Sequence, residues 1–306
     1  LKVIRVAGNS RRRFSLELRH FRYFVAVAEE LHFGRAAERL HIVQPALSAQ
    51  IKAIEDILQT ELLRRSKRHV ELTDAGKRLQ LEAYEALARV DAAVQSTLDV
   101  AQGAIGTLRI GYGANAAVSG IVQSFIRSFQ SRWPAVVVTL KEMASSEIVS
   151  SLISGDLDVG YAATTTIMRN ENIGVMELGS WPWILAMSSD HHLAQVETIA
   201  LTTIADEKFA VYSESGAQLD SASVTAILPF LDQERVHQTN GILNLMTYVA
   251  SGLAIALVPQ PIGRLSFPGV AFVDIEDVLP PMEMNLLWST KSISPIVRNF
   301  LDEIDR

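Results

Sequence analysis

Residues 33–51 read FGRAAERLHIVQPALSAQI, and this stretch decides the fold of the N-terminal part of the chain. It predicts two short helices joined by a tight turn near His41 and Ile42. The first helix carries Ala36, Ala37 and Leu40 on one face, and the small alanines let a second helix approach closely. The second starts at Gln44–Pro45, where proline's fixed φ and missing N–H suit a first-turn position. Leu47, Ile51 and Ile54 recur at i, i+4, i+7 as a buried stripe. Gln44, Ala46, Ser48, Ala49 and Lys52 are left on the opposite face. A helix that is aliphatic inside and small and polar outside can lie in the DNA major groove and read base edges. The same spacing also fits an ordinary helical hairpin, so the flanks carry the decision.

Upstream, ELRHFRYFVAVAEELHF predicts a helix with Leu18, Phe21, Phe24, Val25, Val27, Ala28 and Leu31 on its inner side. Downstream, ELLRRSKRHVELTDAGKRL places Arg64, Arg65, Lys67, Arg68 and His69 between Leu62–Leu63 and Val70–Leu72. That pattern suits a two-stranded wing whose basic tip sits on phosphates. The segment from Leu16 to about Leu79 resembles the winged helix-turn-helix of the LysR-type transcriptional regulators. LRHFRYFVAVAEELHFGRAAERLHI, QPALS, QI-x-x-IE and LTDAG carry the resemblance, in that order. It implies that Gln44, Pro45, Ala46, Ser48 and Lys52 face the groove, and that Arg35, Arg64, Arg65, Lys67 and Arg68 touch phosphates. Two positions depart from the family's pattern. Val43 stands where Ser or Thr usually caps the recognition helix, a loss of roughly 1 kcal/mol. Ala49 stands near a position that is often basic, which bears on base readout.

With 306 residues, 48% of them hydrophobic and 20% charged, the chain suits two or three ordinary globular domains. No apolar run approaches the ~20 residues of a membrane span. The absence of cysteine excludes a disulfide framework and cysteine metal sites, which fits the cytoplasm. The net charge of −6 is segregated: residues 1–78 hold 16 Lys and Arg against 9 Asp and Glu, and the remainder holds 12 against 25. The positive end is the end with the helix-turn-helix, as a nucleic-acid reader requires. Residues 1–15 form a basic arm without a long apolar stretch, so a secretory signal is not expected. A disordered arm, an artefact of start-site choice and an extra phosphate contact all remain open for it.

After the wing, Thr73–Asp74 can cap a long helix reaching about Gln102. Ala75, Leu79, Ala83, Ala86, Leu87, Val90, Val94, Leu98 and Ala101 lie on one broad stripe. Spacings alternating near 3 and 4 fit a dimerisation seam. Gly103 and Gly106 break the pattern like a hinge. From residue 107 the pattern becomes α/β. Strands are expected at 107–112, 136–141, 158–163, 183–188, 209–213, 254–259 and 284–289. Helices are expected near 116–131, 146–154, 217–230 and 242–251, with mostly parallel sheets.

The resemblance extends over about residues 16–306 through RIGYGANAA, RWPAVVVTLKEM, ISGDLDVGY, GLAIALVP and IVRNFLDEI. It implies a multidomain chain: an all-α-type winged helix-turn-helix, a long linker helix, and an effector domain of two doubly wound subdomains like a periplasmic binding protein. The expected organisation is an arm at 1–15, the reader at 16–74, the linker/dimerisation helix at 75–103 and the effector domain at 107–306. Subdomain I would comprise 107–163 and 268–306, and subdomain II 164–267. Ligands of doubly wound sheets bind at the carboxyl ends of strands. Strand ends leading into Asn115, Ser145–Ser146 and Ser215 fit that rule. Asn115 and Ser145 are the leading effector contacts, with Ser146, Tyr161, Tyr212, Ser215 and Asn240 behind them. These positions include no Lys or Arg, which favours a neutral, modestly polar or aromatic small molecule.

No enzyme signature is evident. Residues 111–113, GYG, are not a dinucleotide fingerprint, and SESGA at 213–217 is not a nucleophile elbow. His191 and His192 are adjacent and make a poor metal pair. Asp156 and Asp158 flank a strand start. No catalytic residue, metal or cofactor is expected beyond a small-molecule effector. The expected partners are double-stranded DNA, a second copy of the chain as dimer or tetramer and, by the resemblance, RNA polymerase. The reading is a ligand-responsive transcriptional regulator that binds a pseudo-palindromic promoter site. A solute sensor, and an α/β enzyme fused to a DNA-binding domain, are the alternatives from other classes.

Overall fold

The computed structural model describes residues 4–6, 14–65, 69–163, 170–212 and 235–304. Two compact units divide the chain, Leu1–Leu98 and Asp99–Arg306.

In the first unit, strands β1 (Ile4–Val6) and β2 (Phe14–Leu16) pair as an antiparallel ribbon. Helix α1 (Leu18–Glu30) follows, and His20 Nδ1 accepts the Glu17 N–H at 2.9 Å across its first turn. It buries Phe24, Val25, Val27 and Ala28, as the pattern predicts. Leu31 does not join that face: it sits at the left-handed C-cap, φ 47°, and is 46% exposed. Helix α2 (Phe33–Arg39) is capped by His32, whose Nδ1 accepts the Arg35 N–H at 3.2 Å. Ala36 and Ala37 are buried, which brings α2 against α1 and against α3 (Gln44–Leu58). The turn between α2 and α3 passes through His41 at φ 53°. Leu47, Ile51 and Ile54 are all buried, as their spacing predicts.

Strands β3 (Leu63–Arg65) and β4 (Val70–Leu72) make the wing, with Leu63 opposite Leu72 and Arg64 opposite Glu71. Helix α4 (Asp74–Ala101) starts immediately after it. Thr73 caps α4: its hydroxyl accepts the Gly76 N–H at 3.0 Å and donates to the Glu61 carbonyl at 2.8 Å. Gly76 has no room for a side chain, since a Cβ there would lie 2.1 Å from the Leu62 carbonyl oxygen.

The second unit holds two mixed sheets. The first has the order β6 (Val136–Glu142), β5 (Gly106–Tyr112), β7 (Val159–Ala163), β15 (Met282–Ser289), β8 (Ile173–Trp181). Strand β5 runs parallel to β6 and β7, whereas β15 is antiparallel to β7 and β8. Helices α5 (Ala114–Ser119), α6 (Ile121–Arg132), α7 (Ser145–Ser154) and α9 (Pro295–Ile304) pack on it. The second sheet has the order β10 (Thr198–Ile199), β14 (Val270–Ile275), β9 (Trp183–Ser188), β13 (Ala256–Pro259). Strands β11 (Phe209–Tyr212) and β12 (Val236–Thr239) form a parallel pair that meets it at the Phe209–Ile255 bridge. Helix α8 (Ile242–Ala250) covers this sheet. One apolar core spans both sheets, with Phe129 and Phe300 in edge-to-face contact at 5.2 Å and Leu185, Met187 and Phe209 in the same cluster.

The structure corrects several expectations. The stretch expected as one helix near 116–131 is two, broken at Gly120 with φ 82°. The sheets are mixed rather than mostly parallel, because β8, β9, β13, β14 and β15 enter antiparallel pairings. The subdomain boundaries also move. Strand β8 still belongs to the first sheet, so the passage to the second falls at Pro182 rather than near 163–165. The return lies between Ile275 and Met282, after β14, rather than near 267–270. The glycines at 103 and 106 are not a loose hinge. Gly103 (φ 72°) lies against Pro295 and Ile296, and Asn299 Nδ2 donates to the Gln102 carbonyl at 2.9 Å. The helix expected at 217–230 lies outside the described residues.

Candidate nucleic-acid interface and effector site

Helix α3 presents Gln44, Pro45, Ala46, Ala49 and Lys52 on its exposed side, with Ser48 half-buried at its edge. Its N-cap is Val43, 68% exposed and offering no side-chain cap. The expected phosphate cations have different surroundings. Arg35 reaches the Glu30 carboxylate at 3.2 Å and the Glu30 carbonyl at 2.6 Å. Arg65 pairs with Glu55 at 3.0 Å and lies 4.9 Å above the Phe33 ring. Arg64 is exposed on the wing. Lys67 and Arg68 lie outside the described residues. Arg35 and Arg65 are thus held in fixed positions by carboxylates of the reader itself, which orders their guanidinium groups without removing their exposure.

Glu55, the acidic residue of the QI-x-x-IE stretch, carries no local mark of its role in the site. One carboxylate oxygen accepts the backbone N–H groups of Leu62 and Leu63 at 2.9 and 3.1 Å, and the other holds Arg65. A carboxylate accepting two backbone donors and a guanidinium is a strong tie, because charged hydrogen bonds exceed neutral ones. It fixes the wing against α3. Glu29 makes a second tie. Its carboxylate accepts the Tyr84 hydroxyl of α4 at 2.5 Å and the Arg39 guanidinium of α2 at 2.5 Å. Its carboxyl is held below the ordinary value of 4.5, first by Tyr84 and then by Arg39. Tyr84 is raised correspondingly by Glu29.

In the second unit, Asn115 lies in α5, just beyond the end of β5, and Ser145 starts α7, beyond the end of β6. Tyr161 stands in β7 level with Tyr112. The strand ends therefore gather Asn115, Ser145 and Tyr161 at one side of the first sheet. Asn115 Oδ1 and the Tyr161 hydroxyl are buried and, among the described residues, have no hydrogen-bond partner. Burial pushes the Tyr161 phenol well above its ordinary value. Helix α5 also packs through Ala114 and Val118 on the core of the second sheet, so Asn115 stands where the two sheets' coverings meet. Tyr212 ends β11, level with Thr239 of β12. Asn240 follows, and accepts from Asn244 at 3.3 Å. Nothing is described of Ser215 or of the Ser146 side chain.

The residues weighed for chemistry have structural partners. Asp158 grips Arg109 in a fork at 2.8 and 3.0 Å and accepts its backbone N–H at 2.7 Å, joining β5 to the start of β7. Asp156 accepts the Ser154 hydroxyl at 2.7 Å. His191, His192 and Glu207 bring their ligand atoms within 4.8 Å of one another. However, His191 Nδ1 accepts the Leu193 N–H at 3.3 Å. That places its proton on Nε2, which faces Glu207 at 3.4 Å. No helix among the described residues is long and apolar enough to cross a membrane.

A winged helix-turn-helix, a long helix and a two-sheet α/β unit together define a DNA-binding regulator with a ligand-receptive domain. The chain belongs to the LysR family: residues 18–77 match the bacterial regulatory helix-turn-helix protein, lysR family, and residues 101–306 match the LysR substrate binding domain. It is a ligand-responsive, DNA-binding transcriptional regulator of the LysR type. The HTH-type transcriptional regulator YnfL of Escherichia coli K12 is 34% identical over 94% of this chain and 97% of its own length. The Hca operon transcriptional activator HcaR of the same organism is 30% identical over 94% and 96%. The crystal structure of CbnR, a LysR family regulator, shares the fold with a TM-score of 0.81 at 23% identity, over 94% of this chain and all of that one. Full-length BenM aligns at 26% identity with a TM-score of 0.58, over 95% of this chain and 96% of its own.

Proposed function

We propose that two copies of this chain pair through α4 and read a pseudo-palindromic promoter site, as a dimer or a pair of dimers. The observation that carries this is the state of α4 between Asp91 and Leu98, where every residue is exposed. Val94 and Leu98 are 56% and 46% exposed, with Leu81 and Val100 at 58% and 56%. An isolated helix exposed on all sides gains nothing from burial, so it needs a partner to be stable. Val94, Leu98 and Ala101 lie on the stripe that the spacing marks as a seam. In this reading Gln44, Pro45, Ala46, Ser48 and Lys52 face bases, while Arg35, Arg64, Arg65, Lys67 and Arg68 lie along phosphates.

The effector is a neutral, modestly polar or aromatic small molecule bound at the strand ends, with Asn115 and Ser145 as leading contacts and Ser146, Tyr161, Tyr212, Ser215 and Asn240 behind them. The buried oxygens of Asn115 and Tyr161, without a partner among the described residues, support this, since each gains a bond from a ligand donor. The protein works in the cytoplasm, contacts RNA polymerase, needs no metal or cofactor and turns over no substrate. Sedimentation of the full chain with and without a DNA duplex tests the pairing. Complexes of two or four chains per duplex are expected, and one chain per duplex would overturn the reading.

A further inference from the structure

We propose that Tyr84 is the positioning residue that fixes the direction of α4 relative to the reader, and thereby selects the spacing between two DNA half-sites. This rests on the paired reader proposed above. The N-terminal end of α4 is pinned to the wing by the Thr73 cap and by the contact of Gly76 with the Leu62 carbonyl. Ala75 and Leu79 pack on the reader core and Ala83 is buried, so apolar contact runs into the third turn of α4. Such contact is non-directional, and a directed polar anchor at its far end sets the tilt.

Tyr84 supplies that anchor about 12 Å beyond Gly76, at 1.5 Å per residue. Its hydroxyl donates to Glu29 Oε1 at 2.5 Å. Glu29 Oε2 simultaneously takes Arg39 at 2.5 Å, and Arg39 also lies 3.6 Å from Glu30. One carboxylate therefore joins α1, α2 and α4. Tyr84 is 41% exposed, so its ring packs in part while its hydroxyl makes the directed contact. Its hydroxyl is the part placed to act.

Leverage makes that hydrogen bond consequential. About 26 Å of α4 lies beyond Tyr84, so a tilt of about ten degrees displaces its far end by about 4–5 Å. That exceeds the ~3.4 Å step of one base pair. The exposed seam residues Val94 and Leu98 lie on this far part. A loosened tilt therefore lets a pair of readers span several spacings, while each reader still fits its own half-site.

The test compares the full-length protein with Tyr84→Phe on duplexes carrying two copies of its selected half-site, at the selected spacing and with one or two base pairs inserted. The native protein is expected to lose at least tenfold in affinity on insertion of two base pairs. Tyr84→Phe should bind all spacings within threefold, with unchanged affinity for a single half-site and only a small drop in thermal midpoint. Glu29→Ala should reproduce the flattened profile, and the double variant should add nothing to it. Retention of the tenfold preference by Tyr84→Phe overturns the proposal, as does an equal loss at every spacing, which marks a purely structural role. A native protein indifferent to spacing overturns the paired reading as well.

Discussion

The reader and the effector unit treat their polar groups in opposite ways. In the reader, Glu29 and Glu55 each saturate a carboxylate with donors from other elements: Tyr84 and Arg39 in one case, two backbone N–H groups and Arg65 in the other. In the effector unit, Asn115 Oδ1 and the Tyr161 hydroxyl are covered by the fold without a partner among the described residues. The first arrangement fixes one geometry, and the second leaves favourable bonds for something else to make. A regulator needs both, because a ligand shifts an equilibrium only through unequal interaction with its states.

The sharpest way to break this contrast is at Gly76. Gly76→Ala drives a methyl group into the Leu62 carbonyl, whose position the wing fixes. It should cost the reader about 3 kcal/mol, near the upper end for overpacking. Denaturant unfolding should show the loss in the reader, with the effector unit unchanged. Glu55→Ala leaves the Leu62 and Leu63 N–H groups and Arg65 without their acceptor. The expected loss is about 2 kcal/mol, together with weaker DNA binding, measured by unfolding and by fluorescence anisotropy.

Tyr161→Phe goes the other way. Removing a buried hydroxyl that has no partner among the described residues should raise stability by about 1 kcal/mol. If the hydroxyl instead meets the effector, the same variant should also respond less to it, so thermal midpoint and ligand response separate the two contributions. Val43→Ser should restore a side-chain cap at the start of α3 and add about 1 kcal/mol or slightly less, seen as a higher midpoint for the reader.

The smallest effect is the pH dependence of the Glu29–Tyr84 tie. Glu29 is held below 4.5, so its contribution is present above that pH and fades as the pH falls through the lowered value. Tyr84 is raised above 10, so its contribution is present below pH 10 and fades as the pH rises through the raised value. Difference unfolding curves between the native protein and Tyr84→Phe should be flat between these limits and converge beyond them.

The reader was legible because its information is local. Leu47, Ile51 and Ile54 declare one helix face, Pro45 its first turn, and Ala36 and Ala37 a close crossing. The ties that stiffen it were not legible. Glu29 and Tyr84 lie 55 residues apart, and nothing near either residue announces the other. In the effector unit, the strongly apolar strands declared themselves. Strands β8, β10, β12 and β14 did not, and with them went the true crossings between the sheets. Strands β8 and β10 are edge strands, β12 is mostly polar and exposed, and most of β14 is only half-buried. Gly174 of β8 lies under the Trp288 ring, a contact made by a strand more than a hundred residues away. The candidate effector residues followed from strand ends, but the burial of the Asn115 and Tyr161 oxygens without a partner among the described residues belongs to packing and has no signature in the sequence.

The most direct test of the account is selection of binding sites from a random double-stranded DNA pool with the full-length protein, followed by sequencing. The account predicts an interrupted palindrome whose two halves stand at one preferred separation, about one helical turn or a multiple of it. Enrichment of a lone half-site, or of no motif by folded protein, would contradict it.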